Sequence, residues 1–147
     1  MTRSLGDYQR DDVIDEMIRN TRVIAVAGLS ANPERSSHGV AAMLQSHFRI
    51  IPVNPNVSAV LGEKSYGRVS DIPATVSVDL VDIFRRSEEV LPIVEDAIAK
   101  GARYIWMQQG VVSFEAAELA ERHGLQVVMD ACLAVEFAKR RTAATAS

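Results

Sequence analysis

The sequence predicts an α/β fold, a doubly wound parallel sheet of about five strands with helices on both faces. Three observations carry that prediction. Short β-branched runs alternate with amphipathic helical patterns from Arg22 to Arg141, the order that parallel strands and crossover helices produce. The first run, RVIAVA, is apolar throughout, as a strand covered on both faces must be. Helical patterns stop at glycines, Gly101 and Gly124, where a left-handed residue closes the last turn. Right-handed crossovers then leave few topologies, and the doubly wound sheet is the simplest of them.

The elements follow in order. A helix is predicted over Asp11–Asn20, where Val13, Ile14, Met17 and Ile18 share one face and Asp11 or Asp12 caps the start. Arg22–Ala27 is the first strand. The polar segment Gly28–Ser37 leads to a helix over His38–His47, and Phe48–Val53 is the second strand, ended by NPN. Val57–Ile72, with Gly62, Gly67 and Pro73 in or after it, reads as an irregular crossover with or without a short helix at its start. Val78–Phe84 is the third strand, and its alternating Asp79 and Asp82 suggest one less-buried face.

A helix over Ser87–Lys100 has Ser87 as cap, Glu88 and Glu89 in the first turn and Lys100 last, with Pro92 near its start. Arg103–Met107 is the fourth strand. Ser113 caps a helix ending at His123, which reads as a favourable C-terminal charge or cap. Gln126–Met129 is the fifth strand and Leu133–Arg141 the last helix, followed by a frayed end at 142–147.

Composition narrows the function classes. With 147 residues, 48% apolar and 24% charged, the chain fits a single globular domain over 1–147 with its own core. A net charge of −3 provides no general attraction to nucleic acid, so phosphate recognition must be local. The start MTRSLGDYQRDD lacks the apolar run of a signal peptide. No apolar stretch nears the roughly 20 residues of a membrane span. A lone cysteine, Cys132, rules out an internal disulfide and fits a reducing, cytoplasmic compartment.

The unusual residues collect at the strand ends, where ligands bind in such folds. The loop GLSANPERSS follows a strand and opens a helix, which turns a glycine into a candidate phosphate site. Gly28 permits a sharp turn and close approach, Ser30, Ser36 and Ser37 offer hydroxyls, and Arg35 offers a two-point cation. A dinucleotide fingerprint would read G-x-G-x-x-G, but Ser30 and Pro33 stand at its second and third glycines. The ribose-binding acid at the end of the second strand is replaced by Asn54, followed by Pro55.

Phe84, Arg85 and Arg86 end the third strand and suit a second phosphate and an apolar arm. Gln108 and Gln109 end the fourth, neutral partners for amides, with Gly110 beside them and Trp106 assigned to the core. His38, His47 and His123 have no matching nucleophile, and no Cys/His cluster suits a metal. No catalytic or metal-binding residue is assigned. Cys132, after Asp130, reads either as a reactive thiol or as a buried, inert one.

The blocks VAGLSANPERSSHGV, IIPVNPN, LGEKSYG, VDIFRRSEEV, IWMQQGVV and VVMDACLAVE resemble the small CoA-binding domain family of bacteria. The resemblance runs from about Arg22 to Glu136, with the blocks in family order. It implies a Rossmann-like domain related to the CoA-binding domain of succinyl-CoA synthetase and of ADP-forming acyl-CoA synthetases. It further implies coenzyme A contacts from Gly28, Ser30, Arg35 and Ser37, from Asn54 and Pro55, from Phe84 and Arg85, and from Gln108. Ala131 and Phe137 depart from an Asp-Arg-Cys and Glu-His pattern common in the family, so the C-terminal segment is given no role.

The reading that results is a stand-alone, non-catalytic module that binds coenzyme A or an acyl-CoA. Nucleic acid and membrane are not expected as partners. Two alternatives are an NAD(P)-binding oxidoreductase and the CoA-binding component of a split acyl-CoA synthetase completed by an ATP-grasp partner.

Overall fold

The computed structural model describes residues 3–146, with side chains as far as Thr142. Its strands are β1 (Val23–Ala27), β2 (Arg49–Val53), β3 (Ala59–Val60), β4 (Glu63–Lys64), β5 (Leu80–Ile83), β6 (Tyr104–Met107) and β7 (Gln126–Val128). Five of them form one parallel sheet in the spatial order β2-β1-β5-β6-β7. The helices are α1 (Asp11–Asn20), α2 (Ser36–Gln45), α3 (Val90–Lys100), α4 (Phe114–Arg122) and α5 (Leu133–Ala146). This is the expected doubly wound, Rossmann-like α/β architecture.

Successive strand residues point to opposite faces, and each face has its own core. Ile24 and Val26 of β1 pack with Ile14 and Met17 of α1, Ala41 and Leu44 of α2, and Leu133 and Phe137 of α5. Ala25 and Ala27 pack with Val90, Val94 and Ala97 of α3 and with Ala116, Ala117 and Ala120 of α4. An unbroken apolar run in β1 is what two covered faces require. Trp106, placed in the core from sequence, has no exposed surface, and its Nε1–H donates to the Ala131 carbonyl at 2.8 Å.

Several local expectations are corrected. Asp11 and Asp12 do not cap α1; Arg10 holds that position, and the two acids sit in the first turn, where their charge complements the helix dipole. α2 starts at Ser36 because the Arg35 carbonyl already accepts the His38 N–H at 3.1 Å. The crossover after β2 opens with the β3–β4 hairpin rather than a helix. Its two loop residues, Leu61 and Gly62, both have positive φ (54° and 78°), which suits a tight hairpin turn. A 3₁₀ turn at Val69–Asp71 follows.

β5 is buried at every position, Asp82 included, so it has no less-covered face. Asp79 lies just before it, where Oδ2 accepts the N–H groups of Arg22 and Val23, both at 3.0 Å. Ser87 does not cap α3: a 3₁₀ turn, Ser87–Glu89, comes first, and the Ser87 hydroxyl accepts the Val112 N–H at 3.0 Å. Pro92 falls in the first turn of α3, where its missing N–H is not needed. α5 continues to Ala146, so the end expected to fray is helical backbone to that point; Ser147 lies outside the described residues.

The α4 expectations hold. Ser113 Oγ accepts the Ala116 N–H at 3.2 Å, and His123 Nδ1 lies 3.0 Å from the Leu119 carbonyl. Ser113→Ala is expected to lower stability by about 1 kcal/mol, read as a reduced urea midpoint at constant slope.

Candidate functional site

The sheet order places a topological switch between β1 and β5. From β1 the chain crosses to β2 on one side, and from β2 it returns past β1 to β5 on the other. Loops leaving β1 and β5 therefore diverge, opening a crevice beyond the carboxyl ends of both strands.

Gly28 is the hinge of that crevice. Its φ is +87°, and its N–H donates to the Val53 carbonyl at 2.9 Å. A Cβ built there would stand 2.4 Å from the Phe84 carbonyl oxygen and 2.8 Å from Arg85 Cδ. The two loops thus meet across the missing side chain, and the Arg85 chain lies over the Gly28 turn. Beyond Gly28, short polar side chains brace the loop. Ser37 Oγ accepts the Ser30 N–H, Ser30 Oγ accepts the Asn32 N–H, and Asn32 Oδ1 accepts the Glu34 N–H, each at 3.0 Å.

The resulting cleft has a volume of about 730 Å³, within the range of small-molecule sites. It brings together seven of the nine residues singled out from sequence: Gly28, Ser30, Arg35, Ser37, Phe84, Arg85 and Gln108. Pro55 instead lines an adjoining cavity of about 270 Å³ that shares Gly28 and Arg85 with the cleft. Asn54 lines neither cavity. Its Nδ2 donates to the Leu29 carbonyl at 3.0 Å, and its Oδ1 accepts the Asn56 N–H at 2.9 Å. Asn54 is a clamp between loops.

Three guanidinium groups edge the cleft and differ in their partners. Arg85 Nε donates to Glu89 Oε2 at 3.0 Å, and the exposed Arg86 reaches Glu89 at 3.5 Å. Burial works to raise the Glu89 carboxyl, but Arg85 and Arg86 prevail and hold it below its ordinary range. Arg35 has no carboxylate partner among the described residues. An incoming anion meets one unpaired cation, Arg35, and two that Glu89 already engages, Arg85 and Arg86.

The far wall holds what sequence reasoning underrated. Gln108 is buried beneath the cleft and donates from Nε2 to both oxygens of Asp82, at 2.8 and 3.1 Å. Burial pushes the Asp82 carboxyl up to about 8, against the opposing effect of the Gln108 N–H. Cys132, half-buried, also lines the cleft. Asp130 takes a positive φ of 56° while its Oδ1 accepts the Gly110 N–H at 2.7 Å. None of the three histidines lines the cleft.

Residues 22–138 match the family described as CoA binding domain. Among curated proteins, the chain is 38% identical over 126 residues to YneT of Bacillus subtilis (strain 168), covering 85% of this chain and 92% of that one. Among solved structures, it resembles a hypothetical protein from Pyrococcus horikoshii OT3 at 35% identity and a TM-score of 0.86, over 95% of this chain and 96% of the other. It also resembles part of the dinucleotide forming Acetyl-coenzyme A synthetase 1 of Ca. Korarchaeum cryptofilum. There the identity is 26% and the TM-score 0.69, over 78% of this chain and 27% of the synthetase.

Proposed function

The chain belongs to the CoA-binding domain family, and from that premise we propose that its carboxyl-edge cleft binds coenzyme A or an acyl-CoA, the chain forming one non-catalytic binding module. The observation that carries this reading is the meeting of Gly28, Arg35 and Arg85 at the switch point, a glycine turn with two cations and a helix start beside it. Coenzyme A carries a diphosphate and a separate 3′-phosphate, so two cationic points have two targets. At Gly28 the absent side chain lets the β1 and β5 loops close on one another and lays the Arg85 chain over the turn, which suits a phosphate held between that guanidinium and the loop. The cleft's neutral wall at Gln108 and Gln109 suits the amides of the pantetheine arm. A cytoplasmic setting agrees with a single free thiol, and no described helix is long and apolar enough to cross a membrane.

Charge-assisted hydrogen bonds contribute roughly 1.5–3 kcal/mol each. Arg35→Ala and Arg85→Ala are therefore each expected to weaken coenzyme A binding by about tenfold or more. Arg35 gives the cleaner result because it has no ion pair to lose, whereas Arg85→Ala also releases Glu89. Titration calorimetry checks both. Unchanged affinity in the two variants rejects the placement.

The likeness to a fraction of an acetyl-CoA synthetase supports a second reading, in which the chain supplies the CoA-binding part of a split acyl-CoA synthetase. Acyl-CoA formation that appears only on mixing with a co-purifying ATP-grasp protein distinguishes this from a lone module. A nicotinamide nucleotide is disfavoured by the side chain at Asn54, which is engaged in loop bonds and offers no ribose carboxylate. Competition between coenzyme A and NADH or NADPH tests that directly.

A further inference from the structure

Gln108 lines the cleft although it is only 3% exposed. A primary amide carries its oxygen and nitrogen on opposite edges of one plane, so the bonds from Nε2 to Asp82 turn Oε1 away from that carboxylate. No side-chain or backbone donor of the described residues bonds Oε1. Among those residues, Thr21 Oγ1 is the one fully buried side-chain polar atom without a hydrogen bond. Gln108 Oε1 therefore opens into the cleft, an acceptor awaiting a donor.

Asp82 has no exposed surface. Val26 of β1 and Trp106 of β6 flank it in the sheet. The helices on this face bring apolar side chains to the core: Ile14 and Met17, Ala41 and Leu44, Leu133 and Phe137. The ionisable groups around the cleft are Arg35, Arg85, Arg86 and Cys132, and those on the packed helices include Glu16, His38 and Glu136. Burial raises the Asp82 carboxyl, and the hydrogen bond from Gln108 opposes that rise. The ionised carboxylate accepts from Nε2. The neutral acid instead has a proton to donate, and Oε1 of the same amide can accept it once the amide has turned over.

We propose that the charge state of Asp82 sets which edge of the Gln108 amide faces the cleft. With Asp82 ionised, the cleft presents Oε1 and takes a neutral N–H donor of the ligand. With Asp82 protonated, it presents Nε2, a donor, at the same point. Asp82 is thus a positioning residue and Gln108 the contact that reads hydrogen-bond polarity. In its ligand part the inference rests on the coenzyme A reading, since that molecule has two kinds of neutral N–H donor, the pantetheine amides and the adenine amino group.

The first test needs no ligand. The Asp82 carboxyl carbon and the Gln108 side-chain amide are followed by NMR from about pH 5 to 10. Both are expected to move together, at a midpoint well above the ordinary carboxylate range, and the Gln108 amide is expected to stop titrating in Asp82→Asn. If Asp82→Asn does not fold, Gln108→Met provides the second variant, in which the Asp82 midpoint must shift from its native value. Gln108 resonances that stay fixed while Asp82 titrates overturn the proposal, as does an Asp82 midpoint in the ordinary range.

The second test uses calorimetry in two buffers of different ionisation enthalpy. Coenzyme A binding is expected to release protons within about one pH unit below the Asp82 midpoint, with affinity about tenfold higher above it than well below. Separate titrations of 4′-phosphopantetheine and adenosine 3′,5′-bisphosphate assign the proton release to the amide or the adenine donor. Binding without proton release overturns the inference and leaves the coenzyme A reading intact. Absence of binding by all three probes overturns the coenzyme A reading, and the ligand-free NMR result then decides the amide switch alone.

Discussion

Gly28→Ala is expected to destabilise the chain by about 2–5 kcal/mol and to abolish measurable coenzyme A binding in whatever folded fraction remains. Two separate effects add at this position. The φ of +87° is left-handed, which costs an L-residue roughly 1–2 kcal/mol. The added Cβ would also stand 2.4 Å from the Phe84 carbonyl oxygen, a backbone atom. That strand end cannot yield freely, because the Phe84 N–H is bonded to the Ala27 carbonyl at 2.9 Å. Relieving the clash must part the β1 and β5 loops, and overpacking of this kind costs about 1–3 kcal/mol. Gly110→Ala is the matched control. Gly110 has nearly the same φ, +86°, but no atom within 4 Å of its added Cβ. Urea unfolding of the two variants separates strain from contact. Equal losses would show that the turn alone, and not the approach of the loops, demands glycine at position 28.

The same contrast explains what was legible in the sequence. Strand cores such as RVIAVA are visible because burial on both faces leaves a continuous apolar run. The cleft was visible because doubly wound sheets collect ligands at strand ends, so that Arg35, Phe84, Arg85 and Gln108 could be assembled from topology alone. What escaped notice depends on partners distant in the chain. Asp82 is buried with Gln108, 26 residues away, donating to both its oxygens. Alternating acids in a strand otherwise read as a wet face. Ser87 looked like a cap, yet its hydroxyl bonds Val112, 25 residues on. Asn54 read as a ligand contact, and in the fold its side chain bonds Leu29 and Asn56 and lines neither cavity. Near the chain start, Tyr8 gave no periodic signal at all. It is buried in the core, with its hydroxyl donating to Glu121 at 2.7 Å.

Asp82→Asn is expected to change the pH dependence of stability more than any surface substitution. Burial pushes the Asp82 carboxyl up to about 8 in the folded chain, while an unfolded aspartate titrates near 3.9. Between those values the folded chain holds a proton that the unfolded chain has lost, so stability falls as pH rises. The contribution is fully present below the unfolded value and gone once pH passes the folded one. One pKa unit corresponds to about 1.4 kcal/mol, so the whole window spans on the order of 5 kcal/mol. Asparagine at this position carries no such proton. The stability of the variant relative to the native chain should therefore climb steadily from about pH 4 to about pH 8 and then level. The buried amide adds an offset, since its N–H groups need an acceptor, but that offset is independent of pH. Carboxylates held low, such as Glu89, titrate alike in both chains and cancel in the difference. Urea midpoints of the two chains across this range provide the measurement, and parallel curves would show that Asp82 ionises as an ordinary carboxylate. Coenzyme A supplies a further check. A ligand that binds ionised Asp82 about tenfold better lowers its folded pKa by about one unit, so saturating coenzyme A should end the native chain's slope about one pH unit earlier and leave that of Asp82→Asn unchanged.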